Sequence, residues 1–152
     1  MRKIAATIAL LLGAGCAPTP TCDEACASEV NAWLTWRIEL DRRANAGERV
    51  AIEQVIREEW AGSGESEAWL FKIVWRESNF LPWARNPSGA SGLFQLMLPL
   101  HAARFRAVGC DPSRWAEARC NAAAARYLYE EVGRSPWAMT NYAAIGAVPA
   151  WK

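Results

Sequence analysis

The chain has 152 residues, 52% of them apolar, with 17 basic and 16 acidic side chains and a formal net charge of +1. That is room for one domain around one sizeable core, and the arginines are scattered rather than gathered in a stripe, which leaves no electrostatic footprint for nucleic acid. Nine tryptophans are many for this length, and exposed aromatic rings stack on sugar faces, so the composition leans weakly toward a carbohydrate site.

Arg2 and Lys3 form a basic n-region, Ile4 to Leu12 an apolar stretch, and Gly13, Ala14 and Gly15 a run of small residues before Cys16. That is the order of a secretory signal, and the apolar run is too short to span a bilayer, which takes about 20 residues. Residues 1–15 therefore read as a leader. Cys16 stands where a lipidated first residue would attach the protein to a membrane, although Gly13 occupies a position where such sites prefer a branched side chain. The expected address is the periplasm or cell envelope. Loss of Arg2 and Lys3 lowers the basic count from 17 to 15 against 16 acidic residues, a mature net charge of −1.

Residues 16–27, with Pro18 and Pro20, read as a tether, and 28–152 as the domain. Export makes disulfides the expected state of the remaining cysteines. Cys22, Cys26, Cys110 and Cys120 allow three pairings, of which the local one, Cys22 with Cys26 and Cys110 with Cys120, is the economical choice. With one histidine and no CxxC pair, no metal site is expected. His101, with no Ser or Cys motif around it, reads as a surface residue.

Ser28 can cap a first helix, in which Val30, Trp33, Leu34 and Ile38 recur at helical spacing. A second helix spans Val50 to Trp60, with Ile52, Val55, Ile56 and Trp60 on one face. Gly62-Ser63-Gly64 breaks the chain as a turn and lacks the Lys of a phosphate-binding loop. Glu65 to Ser78 is the third helix, stopped by Pro82 and Pro87, and Asn86-Pro87-Ser88-Gly89 is a turn. Gly92 to Met97 reads as a short helix, and Asn121 to Val132 as a longer one ended by Gly133. No strand-length alternation and no repeat occurs, so the fold class is all-α. Trp33, Trp36 and Trp60 read as core.

One carboxylate breaks the pattern. Glu77 has Val74, Ile73 and Leu70 at three, four and seven residues back, all apolar, so it projects from the core-facing stripe near the end of its helix. Desolvation there raises a carboxyl pKa, and the negative end of the helix dipole pushes the same way. A carboxyl kept protonated near neutral pH is what general-acid catalysis needs.

Trp75-Arg76-Glu77-Ser78-Asn79-Phe80 and Ser88-Gly89-Ala90-Ser91-Gly92-Leu93-Phe94-Gln95-Leu96-Met97 lie about a dozen residues apart. Together they resemble the first two motifs of the soluble lytic transglycosylases, Glu-Ser and Gly-Leu-(Met/Phe)-Gln. The resemblance is strongest over residues 66–152 and leaves the helices of 28–60 outside. It implies a lysozyme-like fold of several short helices around a substrate cleft, and peptidoglycan glycan strands as the partner. By position it makes Glu77 the acid and base. Ser78 shapes the site, Gly92 lets backbone approach sugar, Phe94 lines the cleft and Gln95 hydrogen-bonds the saccharide. The third motif, usually Ala-Tyr-Asn-Ala-Gly, is replaced by Asn141-Tyr142-Ala143-Ala144-Ile145-Gly146. Tyr142 keeps the role of positioning Glu77 or the N-acetyl group, whereas Ala143 stands where Asn is usual. The chain ends at Lys152, so no separate wall-binding module is expected, and the expected state is a monomer.

Most glycosidases use two carboxylates; the resemblance supplies one. It implies cleavage of the N-acetylmuramic acid–N-acetylglucosamine bond with the muramic 6-hydroxyl closing onto C1, no water consumed and no cofactor. The rivals are a muramidase that hydrolyses the same bond, with Asp111 or Glu117 as second carboxylate, and a catalytically inactive peptidoglycan-binding protein of the same fold. The leader generates a first prediction: mass spectrometry of the mature N-terminus finds a chain starting at an acylated Cys16. A cytoplasmic chain starting at Met1 would refute export, and a non-acylated start elsewhere would refute the lipid alone.

Overall fold

The computed structural model describes residues 23–141. Helix α1 covers Glu24–Asn45 and is capped by Asp23, whose carboxylate accepts from the Cys26 amide at 2.9 Å, so the helix begins ahead of Ser28. Its apolar stripe is mostly uncovered. Every residue from 23 to 36 is exposed, and only Leu40 and Ala44 enter the core. Trp33 and Trp36 are about half exposed, at 50% and 48%, and are not core residues. Helical spacing marks an apolar face, but not whether the body of the domain reaches it, and here it reaches α1 only from Leu40 onward.

Helix α2, Arg49–Glu59, buries Ala51, Ile52, Val55 and Ile56 and hands over to the buried Trp60. Helix α3, Glu67–Ser78, starts where the Ser66 hydroxyl accepts from the Trp69 amide at 3.2 Å, and buries Leu70, Ile73 and Val74. Residues 92–97 are not a helix. They are the turn and second strand of a small antiparallel hairpin, β1 (Ala90–Ser91) and β2 (Leu96–Met97), in register Ala90 to Met97 and Ser91 to Leu96. Gly92 at φ +80° and Gln95 at φ +50° explain the change, because a right-handed helix holds no left-handed residue.

Helix α4, Leu98–Ala107, buries only Phe105 and so shows no apolar period in the sequence. Helix α5, Ala118–Val132, buries a face of small residues, Ala118, Cys120, Ala122, Ala124 and Ala125, together with Asn121 and Leu128. Short 3-10 turns at Pro112–Arg114 and Ser135–Asn141 complete the described residues. The fold is all-α apart from the hairpin. No helix among the described residues is long and apolar enough to cross a membrane.

Trp60 sits at the centre of the core. Its ring stacks on Phe94 (centroids 5.4 Å apart, planes at 16°) and meets Trp69, Tyr129 and Trp137 at 6.1, 5.3 and 6.3 Å. Offset and edge contacts of this kind add to burial. At the other end of α5, Arg119 draws three helices together, pairing with Asp41 of α1 at 2.7 Å and with Glu58 and Glu59 of α2 at 2.9 and 2.6 Å. His101 is half-buried rather than on the surface. Its Nδ1 lies 2.9 Å from an Arg104 nitrogen, and burial together with the Arg104 charge holds its pKa below the ordinary value.

Cys110 and Cys120 form a disulfide between the loop after α4 and the first turn of α5, with Cα atoms 5.8 Å apart. Cys26 is disulfide-bonded as well; Cys22, like Cys16, lies outside the described residues. Closing the Cys110 loop removes chain entropy from the unfolded state. Cys110→Ser is therefore expected to lower the unfolding free energy by about 2–3 kcal/mol in a urea melt, and reductant, which also opens the bridge at Cys26, to lower that of the wild type by at least as much. An unchanged midpoint in both would show that the cross-link does not constrain the unfolded chain.

Candidate active site

Glu77 stands in the last turn of α3, half-buried at the edge of a face whose Leu70, Ile73 and Val74 are wholly inside. Ser78 beside it is 6% exposed, and its hydroxyl donates to the Val74 carbonyl at 3.0 Å. That hydroxyl is committed to the helix, so Ser78 shapes the site by its size and offers no proton to a ligand. The helix ends on two successive left-handed residues, Asn79 at φ +52° and Phe80 at φ +59°. A bulky residue there is uncommon, and each such position costs on the order of 1–3 kcal/mol. Phe80 is held in place by the ring of Phe71, 6.2 Å away, and by the Arg49 guanidinium 3.7 Å over its own ring. Two turns then fold the chain back on the helix end: the Leu81 amide donates to Ser78 O and the Ala84 amide to Leu81 O, both at 3.0 Å.

The Ala84 carbonyl joins the two motifs. It accepts from the Gly92 amide at 2.8 Å and from the Gln95 side-chain nitrogen at 3.0 Å, and the same Nε2 donates to Gly92 O at 3.0 Å. Both partners are carbonyls, which fixes which end of the Gln95 amide carries the nitrogen. With both Nε2 hydrogens committed inside the protein, only Oε1 is left to meet a ligand. Gln95 itself is left-handed. Among the described residues the three non-glycine positions with positive φ, Asn79, Phe80 and Gln95, all lie in the two motifs. Strain concentrated in this way marks a place where geometry is imposed from outside, a signal that residue identities alone do not carry.

Two expectations for this turn need correction. Phe94 does not line a cleft: its side chain is 1% exposed, stacked on Trp60 and set edge-on to Trp137. Nor is Gly92 kept small for a sugar. A Cβ on it would lie 2.1 Å from Asn121 Nδ2 and 2.8 Å from the Trp115 carbonyl, so the close approach is to protein.

Asn121 is the residue that sequence reasoning passed over. It is 0% exposed on α5. Its Oδ1 accepts from the Phe94 amide at 2.9 Å, and its Nδ2 donates to Ser91 O and Trp115 O, both at 3.1 Å. The signal was an amide among Ala118, Ala122 and Ala125, on a face otherwise apolar. Asp111 and Glu117, the candidate second carboxylates, are engaged in the disulfide loop. Asp111 caps the 3-10 turn by accepting from the Ser113 amide, and the Ser113 hydroxyl, together with that amide, holds its pKa below the ordinary value; Glu117 pairs with Arg114 at 2.6 Å. Tyr142 lies outside the described residues. Among the described residues no group of three or more His, Cys, Asp or Glu side chains is placed to hold a metal ion.

The family model described as the transglycosylase SLT domain matches residues 54–147, from within α2 onward. No curated protein and no solved structure matches the chain.

The Gly92 geometry gives a paired prediction. Gly92→Ala meets both a left-handed backbone and the Asn121 amide, and is expected to cost roughly 2–4 kcal/mol. Gly89→Ala, at φ +91° with nothing within 4 Å of its Cβ, pays only the backbone penalty of roughly 1–2 kcal/mol. Chemical denaturation of the two variants checks this, and equal losses would refute the contact with Asn121.

Proposed function

The chain belongs to the transglycosylase SLT domain family, lysozyme-like in fold and acting on peptidoglycan; on that premise we propose that it is a lytic transglycosylase with Glu77 as its general acid and base. The protonated Glu77 carboxyl gives its proton to the oxygen bridging C1 of N-acetylmuramic acid and C4 of N-acetylglucosamine. The C1–O bond breaks, and the substrate's own acetamido group steadies the positive sugar. Ionised Glu77 then takes the proton of the muramic 6-hydroxyl as that oxygen closes onto C1, which restores the acid and leaves a 1,6-anhydro end. No water, metal or organic cofactor enters the balance.

One observation carries this reading: the half-buried end of α3 that bears Glu77 and the turn that bears Gln95 are tied through the carbonyl of Ala84. In this reading Gln95 receives a substrate N–H or O–H on Oε1, the end of its amide that the protein leaves to a ligand. Tyr142 positions Glu77 or the N-acetyl group. The substrate lies outside the cytoplasmic membrane, in keeping with a leader over residues 1–15 and Cys16 as an anchor.

Glu77→Gln tests the assignment. It keeps shape and hydrogen bonding but removes the transferable proton, and general-acid catalysis is commonly worth about 10²–10⁴-fold. The variant is expected to melt near the wild type and to release muropeptides from purified cell walls at least about 10⁴-fold more slowly, since the proposed mechanism has no second carboxylate to compensate. A folded variant with near-normal activity would remove Glu77 from the acid's role. Product mass settles the reaction: anhydro ends support the transglycosylase, whereas reducing ends, one water heavier, would make the enzyme a muramidase.

A further inference from the structure

The proposed reaction turns on Glu77, yet the turn bearing Gln95 also keeps a strained geometry. That turn has a left-handed glycine at its start and a left-handed glutamine at its end, and hairpin strands of two residues each supply few hydrogen bonds to hold it. One hydrogen bond closes the turn on itself, from the Gln95 amide to Gly92 O at 3.2 Å, and the rest of its support comes from another element. The Phe94 amide finds its acceptor on Asn121, and the Ser91 carbonyl finds a donor on the same side chain.

We propose that Asn121 is a positioning residue of the reaction, a buried latch that fixes the Gly92–Gln95 turn and thereby sets Gln95 against Glu77. The proposal rests on the transglycosylase reading. Its geometry is over-determined. A primary amide offers one acceptor end and two donor hydrogens, and all are used, on Phe94 N, Ser91 O and Trp115 O. Two of these partners belong to the hairpin and the third to the loop closed by the Cys110–Cys120 disulfide, so the latch also joins the hairpin to that loop. Gly92 is the complementary half: only a residue without a Cβ leaves room for the amide at this distance. Asparagine inside a helix otherwise competes with the backbone and weakens it. On an Ala-rich face an alanine would serve the helix better, so the gain lies in what Asn121 does for the turn.

The test uses the mature full chain in two variants. In Asn121→Ala both ends of the latch are gone. Amide hydrogen exchange across 91–95 should accelerate at least about tenfold, while amides of 52–56 in α2 keep wild-type protection. The kcat on purified glycan strands should fall about 10–100-fold, as expected when catalytic geometry slips by an ångström, and KM should change by less than about threefold. Asn121→Asp is nearly isosteric and serves if the alanine variant does not fold. Its protonated carboxyl can still accept from Phe94 and donate to one carbonyl, whereas its ionised form can donate to neither. Burial raises a carboxyl pKa, so the kcat of this variant relative to wild type should be highest at low pH and fall as pH rises, in protein verified as folded at each pH. Folded variants with wild-type kcat, or a ratio flat with pH, would overturn the proposal. So would uniformly faster exchange with kcat unchanged, the signature of a purely structural amide. A wild type that cleaves no glycan would defeat the transglycosylase reading and this assignment with it. That outcome is distinguishable from failure of the latch alone, because exchange at 91–95 is measured without substrate.

Discussion

Three constraints converge on Phe94, and the placement of the site follows from them. Its ring stacks on Trp60, its amide donates to Asn121, and its carbonyl accepts from the Trp137 indole at 3.2 Å. Ring, N–H and C=O are thus fixed by α2's end, by α5 and by the C-terminal 3-10 turn respectively. A residue held this way cannot shift without breaking a buried hydrogen bond or an aromatic contact, and an unmade buried hydrogen bond costs about 1–3 kcal/mol. The next residue is Gln95. Its left-handed backbone is tolerable because the residue before it is pinned on all sides.

The same logic runs in the other direction along the chain. Gln95 and Gly92 grip Ala84, Ala84 is tied to Leu81 and Leu81 to Ser78, so the anchoring of Phe94 is passed by hydrogen bonds to the end of α3 where Glu77 stands. The interhelical ion pairs of Arg119 act elsewhere, between α1, α2 and α5. They hold the framework without entering the path that joins the two motifs.

Periodicity made the faces of α2 and α3 legible, because Ile52, Val55, Ile56 and Trp60, and Leu70, Ile73 and Val74, are all inside. It misled in α1, where Val30, Trp33, Leu34 and Ile38 have the same spacing and are 43–69% exposed; spacing encodes a face, and only the tertiary fold decides whether anything covers it. Helix α4 gave no period because Phe105 is its single buried residue. The hairpin gave no alternation because two residues per strand are too few to alternate, and its turn depends on left-handed angles at Gln95 that residue identity does not announce. Within the site, the position of Glu77 could be argued from its apolar helical neighbours. The roles given to Ser78, Gly92 and Phe94 came from resemblance alone; Ser78 keeps its shaping role, and burial and close packing move Gly92 and Phe94 from ligand contact to support. Those roles share a physical cause. A motif can be required by the scaffold that places a catalytic group as much as by the group itself, and a sequence pattern does not separate the two.

A mechanism with one carboxylate explains why so much structure is invested in support. In the proposed reaction a single group must meet two oxygens in turn, the bridging oxygen as an acid and the 6-hydroxyl as a base. A two-carboxylate enzyme divides these tasks between side chains that can be placed independently. In that proposal the position of Glu77 has to suit both transfers, so more is asked of its placement than of either member of a carboxylate pair. The observed arrangement answers that demand with rigidity: strained residues at Asn79, Phe80 and Gln95, each costing on the order of 1–3 kcal/mol, offset by buried contacts on Phe80 and Phe94. Strain of that size persists only where the surroundings impose it: at Phe80 they are the Phe71 ring and the Arg49 guanidinium, and at Gln95 they are the aromatic core around Trp60 and the amide of Asn121, both acting through Phe94.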